Sequence, residues 1–296
     1  MTATSPTAGP TTGRRLGLHL LPPDFALRAL KSLVLMVISF GLVIGVWWGF
    51  ITFAHVSSFV AKNPIDVLHY LFGGPVEKSV VSGAQAAANR HELWGKLGRT
   101  ALDATWGYLA GTAVAVLVAM SVVMSRVVER SLMPVAIALR SIPLVAMTPL
   151  IALIFGRGVW AVTVIAGIVT FFPTLVNMVV GLRSAPSQAI DVVHAYGGSS
   201  WTIIRKVALP ASLPSLFASA RIAAPLALLG AVLAEWLATG QGLGGLMLTS
   251  TTTSAYDTLW AAVVLITVVS VLVYGIISLI ESAVLSLFGQ ENTTSS

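Results

Sequence analysis

Six apolar runs, each about as long as the roughly 20 helical residues needed to cross a 30 Å hydrocarbon layer, constrain this chain more than anything else in it. They cover residues 33–54, 101–124, 132–155, 159–181, 212–236 and 258–280. Only the third and fifth carry a charge well inside, at Arg140 and Arg221. With 56% hydrophobic and 9% charged residues, the chain is too apolar for a soluble domain of 296 residues. The expected class is an all-α integral membrane fold with six transmembrane helices. Arg28 and Lys31 precede the first run as they would in a secretory signal, but the run exceeds a usual signal core and is expected to stay as an anchor.

The net charge of +6 points to orientation rather than to nucleic acid, because the basic residues are scattered at span ends. If six spans alternate, Arg14, Arg15, Arg28, Lys31, Arg126, Arg130, Arg183, Arg205 and Lys206 fall on one face, against Lys62, Lys78, Arg90, Lys96, Arg99 and Arg157 on the other. The first face is therefore expected to be cytoplasmic and to carry both termini, in a multi-pass protein of the plasma or inner membrane. Residues 1–32 are expected to form a disordered cytoplasmic tail, its first 24 being rich in Thr, Pro, Gly and Ala. Residues 288–296 are expected to form a C-terminal tail. In the long first loop, residues 84–97 read as a surface helix, either a cap over the bundle or a contact for a soluble delivery protein.

The absence of cysteine excludes disulfides, thiolate metal sites and cysteine nucleophiles. No GxxxxGK[ST] phosphate loop and no GxSxG elbow occur, and the five histidines form no i, i+4 pair. No catalytic, cofactor-binding or metal-ligating set is therefore assigned. A GxGxxG match at Gly240, Gly242 and Gly245 follows a span rather than a strand, and reads as a sharp turn into a closely packed re-entrant segment. Prolines at 134, 143, 149, 173, 214 and 225 place kinks in the third, fourth and fifth spans, so these should lie against protein or a wet cavity. Arg140, Thr148, Thr170, Asn177, Arg221 and Glu235 are the candidate lining of such a path. For the two arginines the other reading is snorkelling to the interface.

Between the fourth and fifth spans lies a polar segment, DVVHAYGGSSWTIIRKVALP at 191–210. Asp191 to Tyr196 can form a short helix that Gly197-Gly198 stops, Ser199 or Ser200 can cap a second, and Pro210 marks the next boundary. Asp191 at a helix start would suit the macrodipole, and Trp201, Ile204 and Val207 would face the bundle. The spacing of Asp191, Gly197, Val207 and Leu209-Pro210 resembles the EAA loop of permease subunits in ATP-binding-cassette importers. Three further blocks, LRSIPLVAMTPLIALIFGRG at 139–158, FFPTLVNMVVGLRS at 171–184 and LAEWLATGQGLGGLML at 233–248, are similar to the nitrate, sulfonate and taurine branch. Asp191 stands here for Glu, Val192-Val193 for Ala-Ala, and Val207 for Ile.

The resemblance, which spans roughly residues 93–287, implies a type I importer with a MetI-like permease domain over 33–287 and a cytoplasmic coupling loop at 182–211. Two permease copies, two cytoplasmic ATPase subunits and an extracytoplasmic solute-binding protein would form the transporter, with lipid around it and no nucleic acid. ATP and Mg would be used by the ATPase alone, so this chain would hold no cofactor and be no enzyme. Asp191, His194, Ala195, Gly197, Trp201, Arg205, Leu209 and Pro210 would couple to the ATPase. Nitrate, a sulfonate such as taurine, or a related anion would be the solute. Two other classes stay open: a proton-coupled secondary transporter working through Glu235, and an intramembrane enzyme, for which no reactive constellation is visible.

Overall fold

The computed structural model describes residues 25–73 and 83–288. The first 24 residues of the expected tail, Lys78 and residues 289–296 lie outside the described residues. Every regular element among the described residues is helical. The chain divides into two units, residues 1–55 and 56–296. Helix α1 (Phe25–Phe53) belongs to the first; it starts inside the stretch assigned to the tail, and its Ile38–Phe53 part is apolar.

In the second unit, α2 (Pro64–Phe72) is capped by Asn63, whose side chain accepts from the Ile65 and Asp66 amides while Asp66 reaches back to the Asn63 amide. Beyond residue 82 the chain enters α3 (Gly83–Met124), a single helix of 42 residues. The surface helix expected at 84–97 and the second span are thus one rod, because neither Gly95 nor Gly98 is forced out of helical geometry and no proline intervenes. At 1.5 Å per residue the rod is about 60 Å long, so its first half projects well beyond a hydrocarbon layer.

The expected third span is broken in two. Helix α4 (Arg126–Ser141) and α5 (Leu144–Phe155) meet at 103°. Pro134 and Pro149 are accommodated inside these helices, whereas Ile142, directly before Pro143, takes extended geometry (φ −79°, ψ 126°). Neither half alone has the length of a span: four helices among the described residues are long and apolar enough, five if the bent pair counts as one. The other three after α3 are α6 (Val159–Arg183), α10 (Leu213–Ala234, prolonged by a π-helical turn to Thr239) and α12 (Tyr256–Phe288). Between α6 and α10 run α7 (Ser187–Ala195), α8 (Ser200–Ile203) and the short turn α9 (Leu209–Ala211); α11 (Gly242–Thr252) lies between α10 and α12.

Helix α6 is the core. It buries Val162 and Ile165 with Ala104 of α3 and Ala227, Leu228 and Ala231 of α10, and Leu175, Met178 and Leu182 with Ala115 and Ala119 of α3. Its crossing with α3 is set by a small-xxx-small pair, Gly107 and Gly111. A Cβ on Gly107 would come within 3.1 Å of the Thr163 carbonyl, and one on Gly111 within 2.8 Å of Gly167 Cα. Gly111→Val should therefore lower stability by about 3 kcal/mol through forced separation of the helices. Gly98→Ala, with open space beside it, should leave the melting temperature in detergent unchanged. Equal melting temperatures for the two variants would refute this account of the crossing.

The outer layer is α12. It buries Ala261, Ala262 and Leu265 near its start, and none of its residues over 266–285 is buried. Helix α2 and the residues leading into it are tied to the start of α12 by the Tyr70–Thr258 hydroxyl contact (2.8 Å) and the buried ion pair Lys62–Asp257 (3.0 Å).

Candidate functional site

The loop between α6 and α10 is built from turn chemistry at every joint. Pro186 precedes the first helical residue, so α7 begins at Ser187 rather than at Asp191. Asp191 consequently sits in the second turn, beyond the end of the macrodipole that its expected position would have placed it on. Helix α7 ends as expected. Gly197 takes φ +72°, its amide donates to the His194 carbonyl (2.9 Å), and the Gly198 amide donates to the Val193 carbonyl (2.8 Å). Gly198 is the sterically limited one of the two, because a Cβ there would lie 2.9 Å from the Val193 oxygen.

Ser199, of the two serines, caps α8, accepting from the Thr202 amide. The chain then makes a π-helical turn over Ile204–Ala208. That wider turn rotates the buried face. Ile204 and Ala208 enter the core beside Met178 and Leu182, Val207 is half-buried, and Trp201, expected to face the bundle, is exposed. Arg205 and Pro210 are exposed and Leu209 is half-buried.

Helix α7 itself buries none of its residues. Asp191, Val192, His194 and Ala195 are exposed, as is Gly197 beyond the helix, and Tyr196 is 89% exposed. Nine residues are too few for a helix to be stable in water on propensity alone, so α7 owes its form to its anchored ends or to a partner. Tyr196 was not among the residues picked from sequence. The signal available was a large aromatic directly before the glycine pair.

A cavity of about 1040 Å³ opens where α3, α4, α5, α6 and α10 meet. Its floor is the Gly111–Gly167 crossing, and its walls include Met147, Phe171, Phe172 and Ile222. Arg140 is the charged group in its lining, with Asn177 and Thr163 among the polar ones. The break at Pro143 delivers Arg140 there in the last turn of α4, its guanidinium 4.7 Å above the Phe172 ring.

Of the six path residues expected from sequence, the structure brings Arg140 and Asn177 together at this cavity. The other four lie off it. Thr148 and Thr170 are fully buried and bond back to the Leu144 and Gly167 carbonyls of their own helices, because a hydroxyl in an apolar core takes the nearest acceptor. Arg221 pairs with Glu281 of α12 at 3.2 Å. Glu235 turns into the fold: its Oε2 accepts from Thr100 Oγ1 (2.8 Å) and from the Gly244 amide (3.0 Å).

The Gly240–Gly245 segment is the sharp return expected from sequence, with Gly240 at φ +67° and Gly242 at φ +61°. A Cβ on Gly242 would occupy the space of the Glu235 carboxyl group. No group of three metal-ligating side chains occurs among the described residues.

Residues 93–286 match the family described as the binding-protein-dependent transport system inner membrane component. A probable ABC transporter permease protein of Haemophilus influenzae is 30% identical over 208 residues, 70% of this chain and 82% of that protein. The riboflavin transport system permease RibX of Chloroflexus aurantiacus is 41% identical over 122 residues, 41% of this chain and 46% of the relative. A putative aliphatic sulfonates transport permease, SsuC of Bacillus subtilis, is 26% identical over 243 residues, 82% and 83% of the two chains. Among solved structures, an inward-facing form of the MetNI methionine ABC transporter covers 65% of this chain and 94% of its own, at 24% identity and a TM-score of 0.53, which is a likeness of fold.

Proposed function

Because the chain belongs to the family of inner-membrane components of binding-protein-dependent transport systems, the permeases of ABC importers, we propose that it lines the path of a small anionic solute and is driven by a separate cytoplasmic ATPase docked on α7. The observation that carries this reading is the bare helix α7, fixed at both ends to the spans α6 and α10 and burying no residue of its own. A groove on the ATPase that received α7 would move these spans as a rigid body when the ATPase dimer closes on ATP. Asp191, His194, Ala195, Trp201 and Arg205 are the exposed groups around that contact. Gly197, Leu209 and Pro210 shape the backbone that presents them.

The cavity then supplies half of a translocation path, completed by a second copy of the chain, with α1 and the α4–α5 pair bringing the spans to six and both termini in the cytoplasm. A solute-binding protein would deliver the solute from the other side. Arg140, a lone cation in an apolar wall beside Asn177, favours a solute with a negative group, as a sulfonate or nitrate has. The proton-coupled alternative loses its candidate group, since Glu235 is held by Thr100 and Gly244 away from the cavity.

Purification of the tagged protein from native membranes tests the coupling. An ATPase should be retained, and lost on Gly197→Trp, which places a large side chain at a left-handed residue beside α7. Retention of the ATPase by that variant, or uptake into vesicles without ATP, would overturn the docking. In the same vesicles Arg140→Gln should slow uptake of the anionic solute at least about tenfold, the worth of one charged hydrogen bond. Unchanged uptake would remove the anion from the proposal and leave the docking standing.

A further inference from the structure

At the end of the bundle from which α7 departs, a second pocket of about 820 Å³ is lined by Arg126, Glu129, Arg130 and Arg183 over Val122, Val123, Met133 and Pro134. Its charges do not balance. Glu129 is engaged by Arg183 at 2.8 Å, and neither Arg126 nor Arg130 has an ion pair among the described residues. Arg126 is moreover the first residue of α4, where the helix already presents its positive pole and a cation is disfavoured unless an anion sits beside it. Arg126 and Arg130, four apart, lie on the same face of that helix.

The location identifies the anion. The spans α3 and α6 end at Met124 and Arg183, so the guanidinium groups stand where hydrocarbon gives way to water, above an apolar floor. Guanidinium binds phosphate in two-point fashion, and clusters of basic residues at span ends attract anionic headgroups. We propose that this pocket binds the phosphate of an anionic phospholipid, with Arg126 and Arg130 on the phosphate oxygens and the half-buried Val123 and Met133 along the first part of the acyl chains. The site is distinct from the cavity of the translocation path and does not depend on which solute is carried.

The test titrates the purified full chain, in neutral detergent, with phosphatidylglycerol, phosphatidylcholine and inorganic phosphate, reading melting temperature and lipid retention in native mass spectrometry. Phosphatidylglycerol should stabilise and stay bound where phosphatidylcholine does not. Arg126→Gln/Arg130→Gln should weaken phosphatidylglycerol about 30-fold, while Arg126→Lys/Arg130→Lys keeps most of the selectivity. Inorganic phosphate that reproduces the stabilisation would assign the site to a soluble anion and overturn the lipid. Equal response to the two lipids in the unaltered protein overturns the proposal without any variant, so poor folding of the glutamine pair leaves it testable. Lipid selectivity that survives in the glutamine pair while ATPase retention falls would give the arginines to the protein partner and likewise overturn it.

Discussion

Tyr196→Ala should weaken retention of the ATPase by on the order of 30-fold and reduce ATP-driven uptake correspondingly, while the melting temperature of the isolated permease stays where it was. The two halves of this expectation have different causes. Tyr196 is 89% exposed at the end of a helix that buries nothing, so its removal takes no contact from the fold, and exposed substitutions of this kind stay within about 0.5 kcal/mol. A large, stiff aromatic held at the tip of an anchored turn is, by contrast, the type of side chain that dominates protein contacts when it is covered. Pull-down of the ATPase and a thermal scan of the same preparation separate the two. A fall in melting temperature with retention intact would mean that Tyr196 supports the permease rather than the docking.

The backbone at Gly197 should matter less than its neighbour's space. Alanine at φ +72° costs only about 1 kcal/mol of left-handed strain, with no atom in its way. At Gly198 any Cβ meets Val193, so the turn must open.

Apolar length made the long helices expected at 101–124, 159–181, 212–236 and 258–280 legible, because a helix in lipid needs little more than that length and no unpaired backbone. The break at Ile142 was harder to see. Pro134, Pro143 and Pro149 look alike in sequence, and only the surrounding packing decides which of them a helix can absorb. The junction of α7 was misplaced for a local reason, since Pro186 starts the helix a turn before the polar segment begins. The Gly107–Gly111 pair was readable in principle as a small-xxx-small contact, but its partner, Gly167, is 56 positions further along the chain from Gly111 and nothing in the spacing names it. For Arg140 and Glu235 the sequence supplied one charge inside an apolar run, one at the end of another, and no azimuth. One faces a cavity and the other the core.

The structural role of Glu235 leads to the sharpest expectation for stability. Thr100 and Glu235 are both fully buried, and the Thr100 hydroxyl works twice: it donates to Glu235 Oε2 at 2.8 Å and accepts from the Leu243 amide at 2.8 Å. The Gly244 amide donates directly to the same carboxyl oxygen at 3.0 Å. The N-terminus of α11 is thus satisfied by two side chains from outside it, one on α3 and one at the end of α10. Thr100→Val keeps the shape and removes the hydroxyl, leaving a buried amide and a buried carboxyl group each short of a partner. At roughly 1–3 kcal/mol for each orphaned group, the loss should reach about 4 kcal/mol. Thr100→Ser retains both bonds and gives up only a methyl group, so it should cost about 1 kcal/mol. Hydrogen exchange localises the effect: amides of Gly242–Thr252 should lose protection in the valine variant while those of α6 keep theirs. Equal melting temperatures for the valine and serine variants would mean that the glycine packing of Gly244 and Gly245 holds the hairpin by itself and that the carboxyl group is incidental to it.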